Sequence, residues 1–325
     1  MLPNEPHDPI LAGIAGTRIE WRRIPGDVRA SVEDRLGCEV ERAVSQEHGF
    51  SPALAARLLL TNGGRVFVKA IGPDDQSGAP GAQELYRQEG RIAAGLPMTV
   101  PAPRLIDRWE TADWTILLFE DVDGHHPAFP WDQAELDRVL SALADLRHDL
   151  TPSPVPVPPA AIPGDQNYWS TLAEDPSPLN RLTDLDPWVL GNVGRMAELE
   201  ATTGPAFAGR TLLHADIRAD NILITEARVV LVDWPHARVG APWLDLLFFL
   251  PSVAMQGGPE PNEVFWKHPV ANGVEPESVL AVLTGLAGFF VFGATLASQP
   301  GLPPPRRFQL AQGAEAIKWL RRMLR

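Results

Sequence analysis

Apolar and polar positions change period several times along the chain, and each change predicts an element. In GDVRASVEDRL, residues 26–36, Val28, Val32 and Leu36 stand four apart with charges between them, which predicts a short amphipathic helix stopped by Gly37. Strand-like runs follow at 39–44, 55–60 and 65–71, the last two joined by the hairpin turn TNGG. Helical spacing returns in AQELYRQEGRIAAGL, 82–96, and stops at Pro97; TADWTILLFEDV, 111–122, is again strand-like and breaks at Gly124. Beyond it the pattern is helical at 133–150 and 186–201, with the proline tract TPSPVPVPPAAIP (151–163) between them expected as an extended surface loop. Two short strands, 221–224 and 229–232, turn at Glu226, and the chain is mainly helical from Trp243 onward, with no internal repeat. This order predicts an α+β protein: a small lobe of antiparallel strands plus one helix, then a larger helical lobe. The helix at 26–36 reads as a cap on the first lobe and not as a site.

Composition narrows the partners. A chain of 325 residues that is 45% hydrophobic and 21% charged is folded and large enough for two lobes. Its 28 basic and 41 acidic residues give a net charge of -13, which repels nucleic acid and anionic membrane and tolerates cationic small molecules. A single cysteine, Cys38, rules out an internal disulfide framework, and MLPNEPHDPI carries no secretory pattern, so a cytoplasmic location is expected. The uncharged run at 279–297 approaches membrane-spanning length, but three glycines and two threonines dilute it, and it reads as a helix buried in the core. Only Lys69, Lys267 and Lys318 are lysines, which singles out Lys69 on its apolar strand RVFVKAI.

The chemistry concentrates in LLHADIRADNILITEARVVLVDWP, residues 212–235, where apolar strands are interrupted by His214, Asp216, Asp220, Asn221 and Asp233. Charges beside a core need neutralising partners. His214-x-Asp216-x4-Asn221, a strand pair and then Asp233 follow the order of catalytic and metal loops in kinase-like phosphotransferases. A hydroxyl attacking a γ-phosphorus needs an orienting carboxylate, which makes Asp216 the candidate base; Mg²⁺ bridging phosphates needs hard oxygens, which Asn221 and Asp233 offer. Arg218 is placed to stabilise the transferring phosphoryl group, His214 to hold the loop through backbone hydrogen bonds, Asp220 to be solvated or capping, and Asp245 either to hold the catalytic-loop backbone or to cap a helix. Lys69 wants a phosphate or carboxylate partner, with Glu89 as the expected partner and Glu84 as the alternative. Backbone N–H groups around Gly49 to Ser51 are candidates for phosphate oxygens, and the segment FEDV, with Glu120 and Val122, for an adenine edge.

HADIRADN followed by VDWP, with HGFSPALAARLLLTNGGRVFVKA, LYRQEGRIAAGLP and FEDVDG in order before it, resembles the aminoglycoside phosphotransferase family of antibiotic and small-molecule kinases. The resemblance runs from about residue 37 to the carboxyl end and is most specific over 214–233. It implies a bilobal protein-kinase-like fold, ATP or GTP with Mg²⁺, and phosphorylation of a small-molecule hydroxyl. It also implies Asp216 as base, Asn221 and Asp233 as metal ligands, Lys69 and Glu89 as the phosphate-anchoring pair, and Ser51 in the phosphate loop. On this reading residues 1–118 form an N-terminal extension and nucleotide lobe, 119–124 a hinge and 125–325 the helical lobe with the acceptor site, in a monomer or weak homodimer. The chain departs from the family at Ala215, where glycine is usual, at Arg218, where histidine is commoner, and at its basic tail IKWLRRMLR, since several aminoglycoside enzymes hold cationic sugars with acidic carboxyl-terminal groups.

Two other classes compete. A metal-dependent hydrolase would use His214, Asp216, Asp233 and His236 as ligands, and a nucleotide-binding module would keep the same groups without turnover. The acceptor is expected over the second lobe, walled by helices after Trp243 and by 165–169. Trp169, Trp188, Trp243 and Trp266 are the candidate aromatic lining, and the acidic balance leans toward a cationic hydroxylated antibiotic, with a choline- or homoserine-like alcohol as runner-up.

Overall fold

The structure is a computed structural model, and it describes residues 18–46, 53–73, 81–111, 113–163, 167–182, 185–296 and 306–325. Helix α1 (Gly26–Leu36) ends at Gly37 in the left-handed region at φ +62°, as the stop at that glycine predicts. Strands β1 (Val40–Ser45), β2 (Leu54–Leu60) and β3 (Arg65–Ile71) follow, then α2 (Ala82–Gly95), β4 (Leu105–Glu110) and β5 (Thr115–Glu120). All strand pairs are antiparallel, in the order β1-β2-β3-β5-β4. The pattern did not reveal β4: it is the edge strand, LIDRWE, where alternate charges sit in solvent and dilute the apolar signal.

Strand alternation then decides what faces what. Val66, Val68 and Ala70 of β3 join Ile116 and Leu118 of β5 in an apolar layer against Trp21, Val28 and Val32, so α1 covers one face of the sheet. The intervening residues Phe67, Lys69 and Ile71, with Leu117 and Phe119, point to the opposite face, where Tyr86 of α2 packs. Period 2 therefore puts the ammonium of Lys69 on the α2 face with no further requirement. Gly90 lets α2 come close: a Cβ there would lie 2.7 Å from Leu117 Cδ2, so a larger residue would push away the turn that carries Glu89.

The rest of the chain is mainly helical: α3 (Gln133–Asp149), α4 (Tyr168–Glu174), α5 (Val193–Glu200), α6 (Thr203–Ala206), α7 (Leu244–Met255), α8 (Pro261–Lys267), α9 (Pro276–Thr295) and α10 (Arg306–Met323). Short ladders β6 (Thr211–Leu213) with β9 (Arg238–Gly240), and β7 (Ile222–Ile224) with β8 (Val229–Leu231), frame the loop between them. Helix α5 begins at Val193 and not near 186, because residues 187–192 form turns, with Asp186 Oδ1 accepting from Trp188 N at 2.9 Å. Helix α9 is long and apolar enough to cross a membrane by composition, yet twelve of its 20 residues are buried, against neighbours that include α10, α5 and α7. The proline tract is only partly a surface loop. Ala160 N donates to Val239 O at 2.7 Å and Val239 N to Pro158 O at 2.9 Å, so its second half lies along β9 with Ala160 and Ile162 buried.

One buried carboxyl in this helical region has a stability consequence. Glu200, 7% exposed at the end of α5, accepts from Trp169 N at 2.9 Å and Ser170 N at 3.3 Å. Burial outweighs those donors and pushes its pKa up to about 7. Because the folded-state value lies above the unfolded one, the folded protein binds the proton more tightly, and stability falls as pH rises from the unfolded value through about 7. The loss amounts to roughly 2–3 kcal/mol. Thermal melts at pH 6 and 8 will therefore differ for the wild type, lower at pH 8, and the Glu200→Gln variant will narrow that gap; an unchanged gap contradicts the assignment.

Candidate active site

Between the sheet and the helices lies a cavity of about 1220 Å³, bordered by β2, β3 and α2 on one side and by the 214–221 loop, Asp233, α9 and α10 on the other. The loop is held from beneath. Asp245, in the first turn of α7, accepts from His214 N at 2.9 Å through Oδ2 and from Ala215 N at 2.8 Å through Oδ1. It makes no cap on its own helix, which settles its two readings in favour of the loop. His214 is fully buried; its Nε2 donates to Val232 O at 2.9 Å, its Nδ1 accepts from Asp216 N at 3.3 Å, and its ring lies 4.6 Å from that of Trp234. Burial lowers its pKa, in keeping with a neutral ring that donates on one side and accepts on the other.

Both ring nitrogens of His214 are thus spent on backbone, which removes it as a metal ligand, and among the described residues no cluster of three His, Cys, Asp or Glu side chains could hold a metal. The hydrolase reading loses its ligand set. Ala215 and Asp233 have φ of +63° and +68°, and no other non-glycine residue among the described ones has positive φ. A φ of +63° is one that glycine adopts without strain and alanine does not, and the two Asp245 hydrogen bonds to His214 N and Ala215 N hold the chain at this strained residue. Replacing Asp245 by alanine will leave two buried N–H groups without acceptors and cost about 2–4 kcal/mol. Asparagine, with one acceptor oxygen, will recover about half of that by urea denaturation.

Lys69 Nζ donates to Glu89 Oε2 at 2.5 Å and to Asp233 Oδ1 at 2.7 Å, which ties β3, α2 and the segment after β8 together. Glu84, the alternative partner, is exposed and pairs with Arg91 at 2.5 Å. One ammonium serves two carboxylates. Burial opposes the charge on Lys69, but Asp233 and Glu89 together raise its pKa. Glu89 moves up to about 7, through burial and the nearby Asp233 against the pull of Lys69. Asp233 moves down, because Lys69 outweighs the effect of burial.

Asp216 lines the cavity and is gripped by Arg218, whose Nη1 lies 2.7 and 2.9 Å from its two oxygens. Burial raises the Asp216 pKa, with Arg218 opposing. The other side of the guanidinium holds Asp220 through Nε at 3.0 Å and Nη2 at 2.9 Å, and Asp220 is therefore neither solvated nor a cap but the second acid of a buried network. Acids two residues away on either side draw Arg218 in, so that its guanidinium grips Asp216 and Asp220 at the border of the cavity.

Asn221 uses Nδ2 on Asp216 O at 2.9 Å and on Asp216 Oδ2 at 3.3 Å, which directs its Oδ1 elsewhere, without a protein donor among the described residues. Asp233, with a side chain 42% exposed, gives one oxygen to Lys69, and the other has no protein donor among the described residues. Two hard oxygens bordering one cavity fit a divalent cation that completes its shell with phosphate and water. Glu120 and Val122 also border the cavity. The Glu120 side chain is taken by Arg228 at 2.6 Å, and Val122 O accepts from Arg57 Nη2 at 3.2 Å and Gly124 N at 3.1 Å, while Val122 N has no protein acceptor among the described residues. Ser51 and its neighbours 47–52 lie outside the described residues, as does Asp165.

None of the four tryptophans named as candidate lining borders the cavity. Trp169 is fully buried with Nε1 donating to Thr284 O at 2.7 Å, Trp243 is buried edge-on to Phe265, Trp266 donates to Asn262, and Trp188 lies beneath Arg321. Phenylalanines take that place: Phe248 of α7, Phe289 and Phe290 of α9, and Phe308 of α10. Apolar residues at helical spacing look alike in sequence whether they fill a core or line a cavity, so no signal distinguished them. Arg238 on β9 was likewise missed, since a lone arginine in a short strand has no motif.

The chain matches the model of the phosphotransferase enzyme family over residues 45–277, more than half of its length. No curated protein matches it. Among solved structures it is similar to a spectinomycin phosphotransferase in complex with ADP and spectinomycin, at 10% identity and TM-score 0.56, covering 92% of this chain and 94% of that one. It is also similar to a macrolide 2'-phosphotransferase from Brachybacterium faecium (16% identity, 90% and 97% covered, TM-score 0.54) and to a choline kinase from Streptococcus pneumoniae (14% identity, 91% and 98% covered, TM-score 0.55). At such identities the likeness speaks for the fold, and the family match carries the reaction class. The chain belongs to the phosphotransferase enzyme family, with its kinase-like bilobal fold, and is a small-molecule kinase.

Proposed function

We propose that this protein transfers the γ-phosphoryl group of ATP or GTP to a hydroxyl of a small hydroxylated natural product of antibiotic type, with Asp216 as the base that orients the attacking oxygen. The observation that carries the reading is the span of Lys69 from Glu89 to Asp233 across the cavity that Asp216 and Asn221 border. Asn221 and Asp233 would hold Mg²⁺, which when bound neutralises charge on the β- and γ-phosphate oxygens. Lys69, fixed by Glu89, is the cation that faces the phosphates; the Val122 N–H and the neighbouring Glu120 backbone are the edge for the base. Arg218 and Asn221 keep the Asp216 carboxylate in one orientation, and Asp245 fixes the backbone that carries it. Positioning and charge neutralisation supply most of such a rate enhancement.

The antibiotic part of the reading is supported by the names of two of the similar structures, and a kinase of a choline-like alcohol is the second reading, supported by the third. Incubation with γ-labelled ATP or GTP and Mg²⁺ against a panel of hydroxylated antibiotics and amino alcohols tests it, with growth of expressing cells on the same antibiotics as companion. Label on an antibiotic supports it; label on an amino alcohol alone selects the second reading. Tight nucleotide binding with no transfer and no hydrolysis makes the protein a binding module instead.

A further inference from the structure

The charges around the cavity are unevenly satisfied. Each acid that borders it already has a basic partner: Glu89 and Asp233 hold Lys69, Asp216 and Asp220 hold Arg218, Glu120 holds Arg228, and Asp121 lies 3.4 and 3.3 Å from Arg57 and Arg65. These six, the acids that border the cavity among the described residues, lie on the sheet, α2, the segment after β5, the catalytic loop or at Asp233 itself. The wall formed by the second half of the proline tract, α7, α9 and α10 carries no acid among the described residues that border the cavity. It presents Phe248, Leu286, Phe289, Phe290 and Phe308, with Gln309 and Gln312 as its amides.

Beside that apolar wall stands Arg238. The β6–β9 ladder sets it opposite Leu213, one residue before the catalytic loop, and it borders the cavity. Its Nη1 donates to His236 O at 3.2 Å and Ala237 O at 2.9 Å, while Nε and Nη2 have no protein acceptor, and no carboxylate lies within 4.0 Å among the described residues. Burial without a compensating acid lowers its pKa. A half-buried guanidinium with two donors unused by protein and no counter-ion offers its charge and a planar pair of N–H groups to an anion in the cavity. A polycation would meet a repelling charge here and no acid to replace its lost hydration.

Resting on the phosphotransferase reading, we propose that the acceptor is a hydroxylated molecule with an apolar face that lies on the phenylalanine wall and an anionic group, a carboxylate or its equivalent, that pairs with Arg238. The lean toward a cationic acceptor drawn from the net charge of -13 is thereby reversed, because that charge is spread over the whole chain and is absent from this wall. Arg238 is the specificity-determining residue, and its planar fork suits a two-oxygen anion better than an ammonium would.

The test uses the full chain and two probes. Affinity for AMP-PNP with Mg²⁺ is measured first by calorimetry; its absence overturns the phosphotransferase reading and this proposal with it. The nucleotide-loaded protein is then titrated with 8-anilinonaphthalene-1-sulfonate, an aromatic anion, by fluorescence and calorimetry. The expected result is one site per chain, weakened about tenfold in Arg238→Gln and restored to within about threefold in Arg238→Lys, with AMP-PNP affinity unchanged in both. Kanamycin, a polycationic aminosugar, will neither displace the probe nor accept phosphate. Equal probe affinity in wild type and Arg238→Gln, or phosphorylation of kanamycin, overturns the assignment of the acceptor and leaves the phosphotransferase reading in place.

Discussion

Asp216→Asn will lower kcat by about 10³-fold while changing nucleotide affinity less than about threefold. The substitution keeps the size of the side chain and removes only its charge and one acceptor. Arg218 retains Asp220 as a partner through Nε and Nη2, so the buried network loses one of two acids and the loop keeps its other supports in Asp245 and Asn221. What disappears is the carboxylate that a hydroxyl would face. Single-turnover transfer from γ-labelled ATP separates the two effects: the chemical step slows and the nucleotide dissociation constant stays. Activity within about threefold of the wild type would remove Asp216 from the role of base, since a general base contributes on the order of 10²–10⁴.

Lys69→Met will be the other large effect, and it acts on two properties at once. Transfer will fall by about 10³-fold or more, because the cation proposed to face the phosphates is gone. Stability will also fall, because Glu89, 3% exposed, and Asp233 lose the ammonium they share. Removing one partner from a buried pair costs about 3–5 kcal/mol when the other stays charged. Glu89 takes up a proton readily, its pKa already lying near 7, so the loss should fall at or below the lower end of that range. The double variant Lys69→Met with Glu89→Gln separates the two consequences. Its melting temperature will return most of the way to that of the wild type while transfer remains lost. Recovery of both, or of neither, would contradict the division of roles between the two residues.

Much of this arrangement was legible from periodicity. The hairpin of β2 and β3 and the helix α2 come directly from spacing, and strand alternation alone places Lys69 on the face toward α2. The order of Asp216, Asn221 and Asp233 around two short strands is likewise a linear pattern, and the ladder of β7 with β8 returns the chain so that the segment after β8 meets the loop before β7. What sequence could not give depends on contacts between distant segments. Asp220 looked solvated because its partner is two residues away in a turn and not at helical spacing. The proline tract looked like surface because its pairing partner, Val239, comes some eighty residues later. The tryptophans were drawn to the acceptor by their chemistry, but packing consumed them, and a net charge summed over the chain said nothing about the wall near Arg238.

On the proposed function, Asn221 and Asp233 would hold one divalent ion against a nucleotide whose phosphates face Lys69. Titration of the protein with Mn²⁺ at saturating AMP-PNP, read by electron paramagnetic resonance, measures this directly. The expected result is at least one tightly held ion per chain that requires the nucleotide, weakened by about 100-fold in Asp233→Asn. Nucleotide that binds with no ion, or an ion held equally well by that variant, would contradict it.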